Sequence, residues 1–359
     1  MRYILIAADA VDPDNLALVA GAGILYPDAN VRLLLTGRPV NESGVTRQSP
    51  PREQFNNADP ARSRQLQVRN AARFVEFARR FDVDLAVFDG GIAPRTLVPH
   101  WVHKDETQTF GDTPEDAESN SRLQTRDALV REILASENPV IDIIVGGPMT
   151  ALRALFEEAP ELIPFVHCCT AMFANWGPGS LMSLGGARTP FQQFNAAIDP
   201  TSANWILTGA PFPILLVPTE TTKVPEITFG SIDALVAALP DTDRAKALVD
   251  LYRVWWNVAG LANRGGIIIY DLAPLMALDP ELCGQIFQVV PVEVKASTHL
   301  PYELIPEESR PTTNAAARWG EVYLTKLEAG TPSTRFATLP ELANGGAEIY
   351  LRTLHRICS

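Results

Sequence analysis

The chain predicts an α/β fold with a mainly parallel, Rossmann-like sheet flanked by helices. Two observations carry that expectation. Short apolar runs ending in glycine or aspartate alternate with longer, helix-like segments from the first residues onward. The runs are apolar throughout instead of alternating with polar residues, the pattern of strands covered on both faces.

The elements follow in order. Residues 3–8 (Tyr-Ile-Leu-Ile-Ala-Ala) read as a strand closing on Asp9. Asp12-Pro13 opens a helix over 15–25, with an acceptor at the cap and proline in the first turn. Residues 31–36 form a second strand, and 41–62, rich in Pro, Asn, Ser and Arg, a long loop. A helix over 65–81 has apolar positions at 68, 72, 74, 75 and 78. A strand at 83–88, an acidic loop at 103–123 and a helix at 126–135 come next. The strand 140–145 runs into Gly146-Gly147-Pro148, ahead of a helix at 150–158. A further buried run, Gly266–Tyr270, closes on Asp271 before another helix. Loops as long as 41–62 and 103–123 are either lids over a site or plain surface excursions. No internal repeat or low-complexity tract breaks the rhythm, so residues 1–359 are expected to form a single domain.

Composition narrows the function. With 359 residues, 46% hydrophobic and 20% charged, the chain can bury a full core. A net charge of −12 with no basic stripe argues against a nucleic-acid partner. No stretch approaches the ~20 apolar residues of a membrane span, and the start is too short for a signal peptide. Four cysteines, with no Cys-x-x-Cys spacing, suit a reduced, cytoplasmic protein.

The acids carry the chemistry. Asp9, Asp12 and Asp14 cluster at one predicted strand tip and Asp271 at another, where α/β sheets bind ligands. Four acids in one pocket call for a cation. An all-oxygen set favours calcium over zinc.

These motifs resemble the inosine–uridine-preferring nucleoside hydrolase family. The family's Asp-x-Asp-Pro-Gly-x-Asp-Asp turn is similar to Asp9-Ala-Val-Asp-Pro-Asp-Asn-Leu-Ala-Leu. In the same order come Val87-Phe88-Asp89-Gly90-Gly91 with Ala93-Pro94, and Val145-Gly-Gly-Pro-Met-Thr-Ala-Leu. Leu184-Gly185-Gly186, Phe194-Asn195, Asp199-Pro200 and Trp205-Ile206-Leu207 follow. Leu215-Leu216-Val217-Pro218 and Tyr270-Asp271-Leu272-Ala273-Pro274-Leu275 complete the series. The resemblance covers about residues 1–300 and implies a nucleoside hydrolase-like fold. It also implies a calcium-dependent N-ribosyl hydrolase, with Asp9, Asp14, Asp271 and the Gly146 carbonyl as metal ligands. Asp9 would take a proton from the attacking water. Asp12, Asn15, Arg38, Gln193, Asn195 and Tyr270 would line the substrate. The implied partner is a nucleoside or nucleoside-like small molecule, and the family's dimers or tetramers imply a possible homo-oligomer.

The chain also departs from the family. Its tandem Asp-Asp is Asp14-Asn15, its Glu before Phe-Asn is Gln193, and its His before the last aspartate is Tyr270. Its Asn after the second strand is Arg38, which either favours an anionic ligand group or pairs with one of the many acids at the surface. These changes support an alternative, a catalytically altered homologue that binds a nucleoside or sugar without hydrolysing it. Residues 167–180 look like an insertion. His103 and His167 are candidate leaving-group acids, Trp255-Trp256 candidate base-stacking residues, and Cys168-Cys169 core packing.

Overall fold

The computed structural model describes residues 1–9, 13–38, 59–93, 122–176, 183–184, 187–188, 194–258, 266–296 and 322–359. The first half alternates strand and helix. Its elements are β1 (Arg2–Ala8), α1 (Pro13–Leu25), β2 (Asn30–Gly37), α2 (Pro60–Arg79), β3 (Ala86–Ile92), β4 (Leu123–Gln124), α3 (Arg126–Leu134), β5 (Val140–Val145), α4 (Thr150–Glu158) and β6 (Val166–Met172). A two-stranded hairpin follows, β7 (Ser183–Leu184) with β8 (Ala187–Arg188). Then come α5 (Phe194–Ile198), α6 (Pro200–Asn204), β9 (Ile214–Val217), α7 (Thr219–Thr222), α8 (Ile232–Ala238) and α9 (Asp243–Val258). The chain continues through α10 (Leu272–Ala277), α11 (Pro280–Ile286), β10 (Phe287–Ala296), β11 (Val322–Lys326), β12 (Arg335–Leu342) and α12 (Gly346–Cys358).

The main sheet has the order β11-β10-β12-β9-β6-β5-β1-β2-β3-β4. From β12 to β4 every pairing is parallel; only β10 runs against its neighbours β11 and β12. The mainly parallel α/β fold expected from the sequence is therefore present. Along β1, Ile4, Ile6 and Ala8 enter one core, with residues of α1, α2, α9, α10 and α12. Tyr3, Leu5 and Ala7 enter the other, with residues of α3 and α4. Burial on both faces explains why the strand shows no alternation.

Several boundaries differ from expectation for local reasons. Helix α2 starts at Pro60, inside the stretch assigned to a loop, because Asp59 accepts from the Arg62 amide at 3.0 Å and Pro60 takes the first helical position. Strand β3 starts at Ala86 rather than 83, because the Val83 amide bonds back to the Ala78 carbonyl to close α2. Residues 167–172, expected as part of an insertion, belong to β6 in the middle of the sheet. Gly266–Tyr270 does not join the sheet; it makes an isolated antiparallel bridge from Ile267 to Phe229. Ile267 and Ile269 are buried by helix packing instead of strand pairing, and an apolar run alone cannot tell these apart. Most of the loops at 41–62 and 103–123 lie outside the described residues.

Candidate active site at the carboxyl edge

The chain moves from β1 to β2 on one side, while β5 pairs with β1 on the other. The crevice between the carboxyl ends of β1 and β5 is thus the point where strand order reverses, where open α/β sheets hold ligands. Asp9 leaves β1 there and Gly146 leaves β5. The Gly146 amide donates to the Ala7 carbonyl at 2.9 Å, which extends the ladder by one bond and fixes the turn.

Residues distant in sequence meet at this turn. A Cβ on Gly146 would stand 2.6 Å from Asn15 Oδ1 and 2.9 Å from Asp271 Cγ and Oδ2. A Cβ on Gly147 would stand 2.9 Å from the Asp9 amide nitrogen. Backbone crowds Gly147 too closely for any side chain, whereas a side chain at Gly146 would press on Asn15 and Asp271. Asn195 Nδ2 donates to the Gly146 carbonyl at 3.3 Å. Asp271 precedes α10 as its cap residue, yet its carboxylate makes no cap bond and turns toward Gly146. Asp9, Asn15, Asn195 and Asp271 are all buried, and Asp14 is half-buried.

Arg38 stands at this edge as well, and its partner there is Asp9. It is no surface arginine: it is buried at the end of β2, and its Nε donates to Asp9 Oδ2 at 2.7 Å. Its Nη2 lies 3.4 Å from Asp9 Oδ1, so the guanidinium grips both carboxylate oxygens. Tyr270 is half-buried beside Asp271. Asp12, Gln193 and His103 lie outside the described residues. His167 is not in this site. It contacts Asp142, which pairs with Ile4 near the opposite end of β1, so it cannot serve as an acid beside Asp9. Trp255 and Trp256 are half-buried on α9, and Trp256 packs against the core.

Two supports escaped the sequence reading. Asp199 accepts from the Ser202 amide at 3.0 Å and hydroxyl at 2.6 Å, and from the Thr150 hydroxyl at 2.8 Å. Because Thr150 opens α4 just after the Gly146 turn, this carboxylate ties the Asn195 segment to that turn. The Asp199-Pro200 pair carried the signal of a cap, though not of the tie. Tyr350, on α12, donates to the Ile269 carbonyl at 3.3 Å. Burial, and then the charges of Asp14 and Asp271, push its phenol well above the ordinary value. Tyr350 therefore lies within electrostatic reach of both acids.

The chain matches the model of the inosine-uridine preferring nucleoside hydrolase over residues 62–322. It belongs to that family. A curated relative, the non-specific ribonucleoside hydrolase RihC of Escherichia coli O127:H6 (strain E2348/69 / EPEC), is 24% identical over 227 residues. That match covers 60% of this chain and 66% of the relative, just under two thirds of its length. Among solved structures, the plant nucleoside hydrolase PpNRh1 superposes with a TM-score of 0.63 at 16% identity, covering 99% of this chain and 98% of its own. The purine-preferring ribonucleoside hydrolase from Gardnerella vaginalis gives 0.62 at 15%, with the same coverage. At such identities the likeness establishes the nucleoside hydrolase fold. The matched family segment starts beyond Asp9, Asp14 and Arg38.

Proposed function

We propose that this chain is a calcium-dependent N-ribosyl hydrolase that cleaves the N-glycosidic bond of a nucleoside or nucleoside-like molecule. The supporting observation is the meeting of Asp9, Asn15, Gly146, Asn195 and Asp271 at the strand-order reversal. The donors there are oxygens only, and buried carboxylates require a cation, so the set fits a hard ion. Asp9, Asp14, Asp271 and the Gly146 carbonyl would hold calcium. Asn15 Oδ1 faces the same corner, and Asp14 stands half-buried beside it. When bound, calcium supplies positive charge that orients water and sugar hydroxyls.

The chain's own groups do the rest. Asp9 takes a proton from water as the water attacks the anomeric carbon. The remaining carboxylates stabilise the oxocarbenium-like state. Asn195, held by its bond to Gly146, presents its amide oxygen to a ribose hydroxyl. The reading goes with a cytoplasmic, single-domain enzyme; among the described residues no helix is long and apolar enough to cross a membrane.

The Arg38–Asp9 pair favours a second reading, a homologue that binds a nucleoside or sugar without hydrolysing it. A guanidinium favours the ionised form of the carboxylate it grips, which makes Asp9 a weaker base. Base release from a panel of nucleosides and 5′-nucleotides, with added calcium and beside Asp9→Ala, decides between them. Release that vanishes in the variant supports the hydrolase. No release by a protein that still binds nucleoside supports the second reading.

A further inference from the structure

A second polar cluster occupies the opposite, amino edge of the sheet, and it does not depend on the hydrolase reading. Asp142, near the start of β5, pairs with Ile4 of β1. Five residues of strand at about 3.3 Å each put it roughly 16 Å from Asp9. The Asp142 side chain is 1% exposed. Arg2 Nε donates to its Oδ2 at 2.7 Å. Its Oδ1 lies 2.9 Å from His167 Nδ1 and 3.3 Å from Cys168 Sγ.

Consecutive residues of a regular strand point to opposite faces, so His167 and Cys168 should not share a partner. They do because the β5–β6 ladder shifts register. Ile141 pairs with Val166, and Asp142 pairs with Cys168, leaving His167 as an extra residue. Such a bulge re-aims a side chain, here toward the face that Cys168 already occupies.

We infer that Asp142, His167 and Cys168 form a binding site for a divalent transition-metal ion of the zinc class. Their ligand atoms all lie within 4.8 Å of one another. Around tetrahedral zinc, oxygen and nitrogen ligands stand about 3.3 Å apart, and oxygen and sulfur about 3.6 Å. The observed 2.9 and 3.3 Å need to open by only a few tenths of an ångström to admit the ion. Arg2 orients the carboxylate through the other oxygen, as outer partners of metal ligands do. The His167 side chain is 65% exposed, which leaves an entry path and a fourth position for water. As sulfur binds the metal, the Cys168 S–H bond breaks and its proton leaves to solvent; nothing is oxidised or reduced. The mixed oxygen, nitrogen and sulfur set selects a borderline ion and discriminates against calcium.

Cobalt(II) is the probe, titrated into the full chain after chelator treatment and in the presence of excess calcium. Cys168 is the half-buried thiol, whereas Cys169, Cys283 and Cys358 are buried. The expected result is one equivalent of cobalt with a near-ultraviolet sulfur-to-cobalt absorption band, displaced by zinc. Cys168→Ser removes the band, and His167→Ala weakens cobalt binding by more than the ~10–100-fold of a merely supporting contact. Absence of the band at saturating cobalt, or its survival in Cys168→Ser, overturns the site. Should Cys168→Ser fail to fold, the exposed His167 still decides: unchanged cobalt affinity in His167→Ala overturns it as well.

Discussion

At the carboxyl edge of the sheet Arg38 grips both oxygens of Asp9, whereas at the amino edge Arg2 takes one oxygen of Asp142 and leaves the other to His167 and Cys168. Each edge buries a carboxylate and gives it a guanidinium, as burial of charge requires. The surroundings differ. At the Gly146–Gly147 turn beside Asp9 stand an amide oxygen and a second carboxylate; around Asp142 stand a ring nitrogen and a sulfur. The lesson is that neutralising a buried acid does not by itself define a site. The chemical hardness of the remaining neighbours decides which ion the same carboxylate can serve.

The largest effect expected in breaking this comparison is that of Asp9→Ala. If the carboxyl edge is catalytic, base release falls by about 10²–10⁴-fold, the usual share of a general base, while cobalt absorption at the amino edge is unaltered. A nucleoside assay run beside the cobalt titration checks both halves.

Arg38→Ala comes next. Removing one partner of a buried pair costs about 3–5 kcal/mol, so metal-free protein should melt earlier. Calcium should recover much of that loss, because Asp9 no longer has to leave a guanidinium to bind it. Thermal melts with and without calcium measure this; a variant that calcium fails to rescue would show that Arg38 and the metal do not compete for Asp9.

Gly146→Ala should follow, at about 1–3 kcal/mol, the range for overpacking. The added methyl would press on Asn15 Oδ1 and the Asp271 carboxylate. Its calcium-dependent rise in melting temperature should shrink with it, and equal rises in both proteins would place calcium elsewhere.

The smallest expected effect concerns Asp89, a further carboxylate on the β3 side of the carboxyl edge. Burial pushes its carboxyl up, but the Gly91 amide, Arg64 and Gln67 outweigh burial and hold it below the ordinary value. A carboxyl lowered on folding stabilises above the unfolded value near 3.9 and loses that contribution as pH falls through the folded one. The difference in melting temperature between wild type and Asp89→Asn should therefore be constant near neutrality. It should close only in acid below the ordinary aspartate range.

Much of the carboxyl edge could be read from the sequence because its residues end elements. Asp9 closes β1, Gly146 leaves β5, and Asp271 precedes α10; strand ends and helix starts are marked by glycine, aspartate and proline. What could not be read depended on pairing at a distance. The run 166–172 carries His, two Cys and Thr, so nothing marked it as a central strand, whereas Gly266–Tyr270 was apolar enough to be mistaken for one. The tie from Asp199 to Thr150, the placement of Tyr350 and the grip of Arg38 on Asp9 all require knowing which elements neighbour one another. The bulge at His167 is equally silent in sequence, since it is set by the register of β6 against β5.

The central position of β1 also bears on how the molecule is made. Arg2 meets its partner Asp142 some 140 residues downstream, and β1 cannot be covered on that side until β5 has been synthesised. A strand apolar on both faces must stay unpaired along that flank while the intervening chain emerges. Loop-closure entropy and parallel pairing then make its final docking slow. Assembly from the β2 side first, with β5 closing the gap late, is the order this topology imposes during synthesis, and the open flank of β1 is where the nascent chain is most exposed to aggregation.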